Sequence, residues 1–292
     1  MNILITGAGG SVGASSAQYF SEGHIVLALN HNDLDITDPR AVRQVILSEK
    51  PQLIINCAVL GVDACEDNPP LARQINVEGP RNLAQAAAQV DAEMLHFSSN
   101  YVFDGRHADC PYTIADAPRP VNEYGRTKLE GERAVCAALP RSYVVRTSWV
   151  FGGRNDNFLS TAPRKLISGQ RFSAITDVKA STTFVVDLIR RVGEILTHKR
   201  YGTYHVTNDG DCSYFEFASE AARILRLPDT GTANLIEPVS EDAMYRKAKR
   251  PRYSPMRCLV SEELGLAPLR DWRDALLDYI GSEVLPVGID RA

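Results

Sequence analysis

Tyr124 and Lys128 stand four residues apart within Asn122-Glu123-Tyr124-Gly125-Arg126-Thr127-Lys128. Residues at i and i+4 share one face of a helix. An ammonium beside a phenol favours the phenolate, so this spacing predicts a lowered pKa for Tyr124. Such a phenol would serve as proton donor and acceptor near neutrality. The same spacing recurs at Tyr245 and Lys249, so spacing alone does not choose between the pairs. The second pair lies in a basic, proline-flanked run and reads as a loop. Arginine matches phosphate geometry, which makes Arg250 in that run the candidate for a substrate pyrophosphate.

A second chemical signal opens the chain. Asn2 to Thr6 reads as a buried strand and runs into Gly7-Ala8-Gly9-Gly10-Ser11-Val12-Gly13, followed by a helical Ala14 to Phe20. Glycines let the backbone turn tightly and approach a pyrophosphate closely. The helix start adds free N–H groups and the positive end of a dipole. A plain glycine-rich turn is the competing reading; strand, glycines and helix together favour a dinucleotide site. At the end of the next strand the chain reads Leu29-Asn30-His31, with no carboxylate placed for an adenosine ribose. NADPH is therefore expected to serve at least as well as NADH. His31 is a candidate for the 2′-phosphate, with a solvent-exposed loop histidine as the alternative.

These groups need a scaffold. Short β-branched runs at 2–6, 25–29, 53–57, 94–98 and 143–147 alternate with helical stretches such as 38–48 and 80–90. Apolar strands alternating with helices predict an α/β fold, a Rossmann-like doubly wound parallel sheet. Past Phe151 the pattern turns irregular, which predicts a smaller, mixed α/β substrate lobe. The division expected is residues 1–152 with about 180–198 for the dinucleotide-binding domain, and about 153–179 with 199–292 for the lobe.

Composition narrows the partners. The chain has 292 residues, 44% hydrophobic and 23% charged, with net charge -4 and no basic stripe, so nucleic acid is not an expected partner. No apolar run approaches the ~20 residues of a membrane span. The N-terminus lacks the pattern of a secretory leader. Six cysteines are scattered without a Cys-x-x-Cys, which suits reduced thiols, a cytoplasmic location and no metal.

The glycine spacing and the Tyr-x-x-x-Lys pair resemble the extended short-chain dehydrogenase/reductases, and within them the dTDP-4-dehydrorhamnose reductase family. The likeness continues through Asp33-Leu34-Asp35-Ile36-Thr37-Asp38, Asn56-Cys57-Ala58, Phe97 to Gly105, Arg146 to Gly152, Asn157-Phe158 and Arg250-Pro251 with Ser254. The resemblance implies a catalytic trio of Ser99, Tyr124 and Lys128. Tyr124 would protonate the forming alkoxide, Ser99 would hydrogen-bond the same oxygen, and Lys128 would hold the nicotinamide ribose. Only one of Ser98 and Ser99 can face the substrate from a strand; alignment on Tyr101-Val102-Phe103 selects Ser99.

Cofactor contacts implied are Gly7, Gly10, Ser11, Val12, Gly13, Asn30, His31, Asp35, Ile36, Cys57, Ala58, Val59, Leu60, Tyr124 and Lys128. Substrate contacts implied are Ser99, Asn100, Tyr124, Trp149 and Arg250. For Trp149 a core role is the alternative. The activity implied is NAD(P)H-dependent reduction of a 4-keto group on a nucleotide-linked deoxysugar, and a homodimer is implied too. Asn100 departs from the family's Asp, and Asp177 to Thr183 loses that family's Gln, Gly and Pro, so the sugar stays open. An NDP-sugar epimerase or dehydratase is an alternative. So is a non-catalytic NADP-binding subunit resembling that of methionine adenosyltransferase.

Overall fold

The computed structural model describes residues 1–107, 110–154, 156–228 and 234–285. Its centre is a six-stranded, all-parallel sheet. In chain order the strands are β1 (Asn2–Thr6), β2 (Ile25–Leu29), β3 (Leu53–Asn56), β4 (Glu93–Ser99), β5 (Ser142–Thr147) and the strand Gly202–His205. Across the sheet, Gly202–His205 lies at one edge, followed by β5, β4, β3, β1 and β2. The order reverses between β1 and β3, which is where a doubly wound sheet opens a ligand crevice.

Alternation along the strands explains the layering. Ile3, Ile5, Leu53, Ile55, Leu95 and Phe97 face one core, which they share with the helix Val185–His198. Leu4, Ile54 and Met94 face the other, against α2 (Pro39–Glu49) and the helix Gly79–Gln89. Neighbours in sequence thus point to opposite faces, as the pleat requires. Each fully buried Ile or Leu contributes about 1.5–3 kcal/mol. The edge strand β2 is only partly covered. Asp38 caps α2 by accepting from the Arg40 and Ala41 amides, with Pro39 at the first helical position.

One boundary differs from expectation. Gly202–His205 lies in the stretch assigned to the second lobe, yet pairs in parallel with β5. The helix Val185–His198 provides the crossover that returns the chain to the sheet. Around this sheet, Phe172–Ile175 pairs with Ile236–Val239, Lys179–Ala180 with Cys212–Ser213, and Val150–Phe151 with Thr183–Phe184. These short ladders hold the segments that cover one end of the main sheet. Among the described residues, no helix is long and apolar enough to cross a membrane.

Candidate active site

The glycine loop joins β1 to α1 (Ser11–Ser21) at the crevice. Gly7 has φ +70, and a Cβ there would lie 2.6 Å from the Ala58 nitrogen. A Cβ on Gly13 would lie 2.2 Å from the Gly7 carbonyl oxygen. Both glycines are therefore required by the protein's own backbone. Gly10 is different: its Cβ would meet the same oxygen at an ordinary 3.5 Å. Gly10 caps α1 without any side-chain hydrogen bond to the helix start. The loop thus leaves the first-turn amides facing outward, as an anion requires.

A groove of about 540 Å³ adjoins this loop. It is lined by Gly7, Gly10, Asn30, His31, Asp35, Ile36, Cys57, Ala58 and Val59, among others, so most of the expected cofactor residues converge. Leu60 is not in the lining; its amide donates to Asn76 Oδ1 at 2.8 Å. Ser11 is committed elsewhere, its hydroxyl donating to the Gly152 carbonyl at 2.9 Å. Directly after β2, Asn30 and His31 line the groove, and neither position holds a carboxylate. The chain folds back there, and Asp33 Oδ2 accepts from the Asn30 amide at 2.9 Å. Asp35 Oδ1 accepts from the Thr37 amide, which holds its carboxyl below the usual range.

Tyr124 and Lys128 lie on the helix Glu123–Ala138. Asn122 caps that helix by accepting from the Gly125 amide at 2.8 Å, and its own amide donates to the Lys249 carbonyl at 2.7 Å. Gly125 lets the helix reach β4's end, since a Cβ there would lie 2.0 Å from the Tyr101 carbonyl oxygen. Ser99 ends β4, and its hydroxyl lies close enough to Tyr124 to ease ionisation of the phenol. Its hydroxyl also meets Asn100 Oδ1 at 3.1 Å and the Tyr101 amide at 3.2 Å. Ser98 points the other way, donating to Glu132, which Arg146 holds through two nitrogens. The structure therefore brings Ser99, and not Ser98, to Tyr124.

The predicted lowering of the Tyr124 pKa is overturned. Burial of the phenol pushes it up to about 12, and only the nearby Ser99 opposes this. Tyr124 keeps some exposure to solvent, but its surroundings are crowded with protein. Lys128 does not offset the burial because its Nζ is engaged elsewhere. It donates to the Phe97 carbonyl at 2.6 Å and contacts His96 Nε2 at 3.4 Å. Burial brings Lys128 down to about 8.

The remaining wall is aromatic and cationic. Tyr101 meets Tyr124 edge-on, with ring centroids 5.5 Å apart. Arg250 lies over Tyr101, 5.7 Å from its ring centre. The Arg250 side chain is 8% exposed, and its Nη2 reaches Asp63 at 2.8 Å. Its Nε and Nη1 are buried without a hydrogen-bond partner. Such donors are costly unless something satisfies them. Trp149 stacks on Tyr214 at 4.0 Å and holds φ +40, the left-handed region that bulky residues avoid. Asn100 is buried and donates to Ser254 Oγ at 2.8 Å, tying the strand end to the Arg250–Ser254 loop. Tyr245 is 95% exposed and lies outside any helix, so the second pair does not form a site.

Sequence reasoning missed Tyr101, Tyr214 and Arg246 in this wall. Tyr214 starts the helix Tyr214–Ile224, and Arg246 lies 5.7 Å from its ring centre. Tyr101 was visible only as part of a run used for alignment. Nothing local marks the other two, since long-range folding brings them here.

Comparison with known proteins gives the chain its family. The dTDP-4-dehydrorhamnose reductase of Mycolicibacterium smegmatis is 40% identical over 286 residues, covering 97% of this chain and 86% of that protein. A probable dTDP-4,6-dihydroxy-2-methyloxan-3-one 4-ketoreductase of Streptomyces antibioticus is 36% identical, covering 94% and 93%. Among solved structures, dTDP-4-dehydrorhamnose reductase of Bacillus anthracis in complex with NADP superposes with a TM-score of 0.90. It is 32% identical, covering 96% of this chain and 98% of that one. Residues 1–284 match the family described as RmlD substrate binding domain, and the chain belongs to that family of dTDP-4-dehydrorhamnose reductases.

Proposed function

We propose that the protein reduces the 4-keto group of a nucleotide-linked deoxysugar, using NADPH. The observation that carries this reading is the convergence of Ser99, at the carboxyl end of β4, and Tyr124, on the helix Glu123–Ala138, beside the dinucleotide groove. The glycine loop and the groove beside it suit a dinucleotide, because Gly10 stays bare although the protein's own packing does not require it. Gly7 to Gly13, Asn30, His31, Asp35, Ile36 and Cys57 to Val59 would hold the cofactor. When bound, a reduced nicotinamide supplies hydride to the carbonyl carbon.

The protein's own part is orientation and a proton. Tyr124 stays protonated through the working pH range, so its hydroxyl gives a proton to the carbonyl oxygen as negative charge develops there. Ser99 hydrogen-bonds the same oxygen and later steadies the phenolate. Lys128 lies near groove-lining Cys57, which supports a role for it on the cofactor side. Arg250 would take a substrate pyrophosphate oxygen on its two unsatisfied N–H groups. Trp149 and Asn100 would border the sugar. In this reading the main sheet carries the cofactor, and the segments about 153–179 and 206–285 enclose the substrate.

The test is a panel of nucleotide-linked 4-keto sugars with NADPH oxidation followed at stoichiometric scale. Net oxidation matched by alcohol product is expected. Tyr124→Phe should lose about 10²–10⁴-fold in kcat while NADPH still binds. Interconversion of sugars with no net cofactor consumption would point to an epimerase. Binding without turnover across the panel would point to a regulatory subunit.

A further inference from the structure

A buried histidine beneath the Tyr124–Lys128 face has no role in the mechanism above. His96 lies on β4 and is fully buried. Its ring is read by Asn56, whose own orientation is fixed. Asn56 Oδ1 meets the Ala58 amide at 3.1 Å and the Thr6 hydroxyl at 2.7 Å. A backbone N–H can only donate, so that Asn56 atom is the carbonyl oxygen. The amide nitrogen is therefore the atom 3.0 Å from His96 Nδ1, and it donates there. With Nδ1 accepting, a neutral imidazole carries its proton on Nε2. Burial keeps His96 neutral well below its ordinary range.

Nε2 faces Lys128 Nζ at 3.4 Å, and Nζ meets the Phe97 carbonyl at 2.6 Å. A neutral amine satisfies both neighbours: it donates to Phe97 and its lone pair accepts from Nε2–H. An ammonium has no lone pair and would set N–H against N–H. We infer that His96 is a positioning residue for Lys128, its Nε2–H selecting the neutral amine so that the lysine changes protonation within the working pH range. Other groups facing Lys128 do not reverse this preference. Glu132, on the same helix, favours the ammonium, but Arg146 and Ser98 already hold it. Cys57, just after β3, and Cys65, within the helix Val62–Asp67, face it, and burial keeps both as neutral thiols. Tyr124 is likewise a neutral phenol.

The functional consequence rests on Lys128 belonging to the catalytic trio; the protonation claim stands apart from it. The test is NMR titration of the full chain carrying [¹³Cε]lysine, with Lys128 assigned by loss of its signal in Lys128→Met. The expected wild-type midpoint is about 8. His96→Phe should raise it by about one pH unit, the equivalent of one ordinary hydrogen bond. Asn56→Asp keeps both donors to Oδ1 but turns Nδ2 into an acceptor. His96 should then carry its proton on Nδ1, and the Lys128 midpoint should also rise. Long-range ¹H–¹⁵N correlation in the wild type should find the imidazole proton on Nε2.

A proton on Nδ1 in the wild type overturns the inference. So does a wild-type midpoint near an ordinary lysine value, or a midpoint unmoved in the folded variants. If His96→Phe does not fold, the Asn56→Asp titration and the wild-type tautomer decide. Turnover is assayed separately. A wild type inert on every keto sugar would sink the reductase reading and leave these titrations readable. In an active enzyme, the pH–kcat limb near 8 should move up with the Lys128 midpoint.

Discussion

At Tyr124 burial, and not the spacing to Lys128, sets the electrostatics. A four-residue interval says that two side chains share a face, but not how much protein surrounds them. Burial dominates here, and Lys128 turns to Phe97 and His96. A phenol held at about 12 stays protonated, which suits the proton-donor role proposed for it in reduction. Arg250 shows the converse limit. The sequence named it for its guanidinium, whereas its two unsatisfied nitrogens and its place over Tyr101 are visible only in the fold. Arg250→Ala is expected to raise the KM for the nucleotide sugar about 10-fold or more, a charged hydrogen bond being worth about 1.5–3 kcal/mol. The NADPH affinity should stay unchanged; steady-state kinetics with each ligand varied checks this.

Elements were more legible than contacts, because hydrophobic period and capping residues are local signals. The strands at β1 to β5 and the helices that follow them fall close to where alternation placed them. The strand Gly202–His205 falls in the stretch expected for the lobe, since pairing with β5 is a contact distant in sequence. The helix Glu123–Ala138 depends on a detail that only the fold explains. Gly125 admits the Tyr101 carbonyl where a Cβ would lie 2.0 Å away. Gly125→Ala should therefore displace the helix start, cost about 1–3 kcal/mol by overpacking, and lower kcat with it. Gly23→Ala is the control, since its Cβ would meet nothing within 4 Å. Thermal melts of both variants beside the wild type check this; equal melting temperatures would refute it.

For the molecule as a whole, buried neutral histidines set an acid limit. His96 and His205 both have folded pKa values below the ordinary 6.5, His205 at about 3. The unfolded chain therefore binds more protons as pH falls below about 6.5, and stability drops with it. Above that pH the contribution is fully present. The melting temperature should decline steadily from about pH 6.5 toward pH 4, before carboxylate protonation adds to the loss. His205→Gln should flatten the upper part of that decline. Calorimetry across the range tests this, and a flat wild-type profile down to pH 5 would contradict it. Both histidines tie distant segments: His205 reaches the Tyr112 and Arg257 carbonyls, and His96 reaches Asn56 and Lys128.

Trp149 carries a consequence for anyone evolving this protein. Its backbone occupies a region that glycine and asparagine enter more readily, while its ring stacks on Tyr214 in the wall proposed to border the sugar. Selection for heat tolerance alone would drift toward Gly at 149 and relieve the strain. Selection for turnover would restore the indole. Libraries screened on one trait would move this position in opposite directions, so a useful campaign must score both at once.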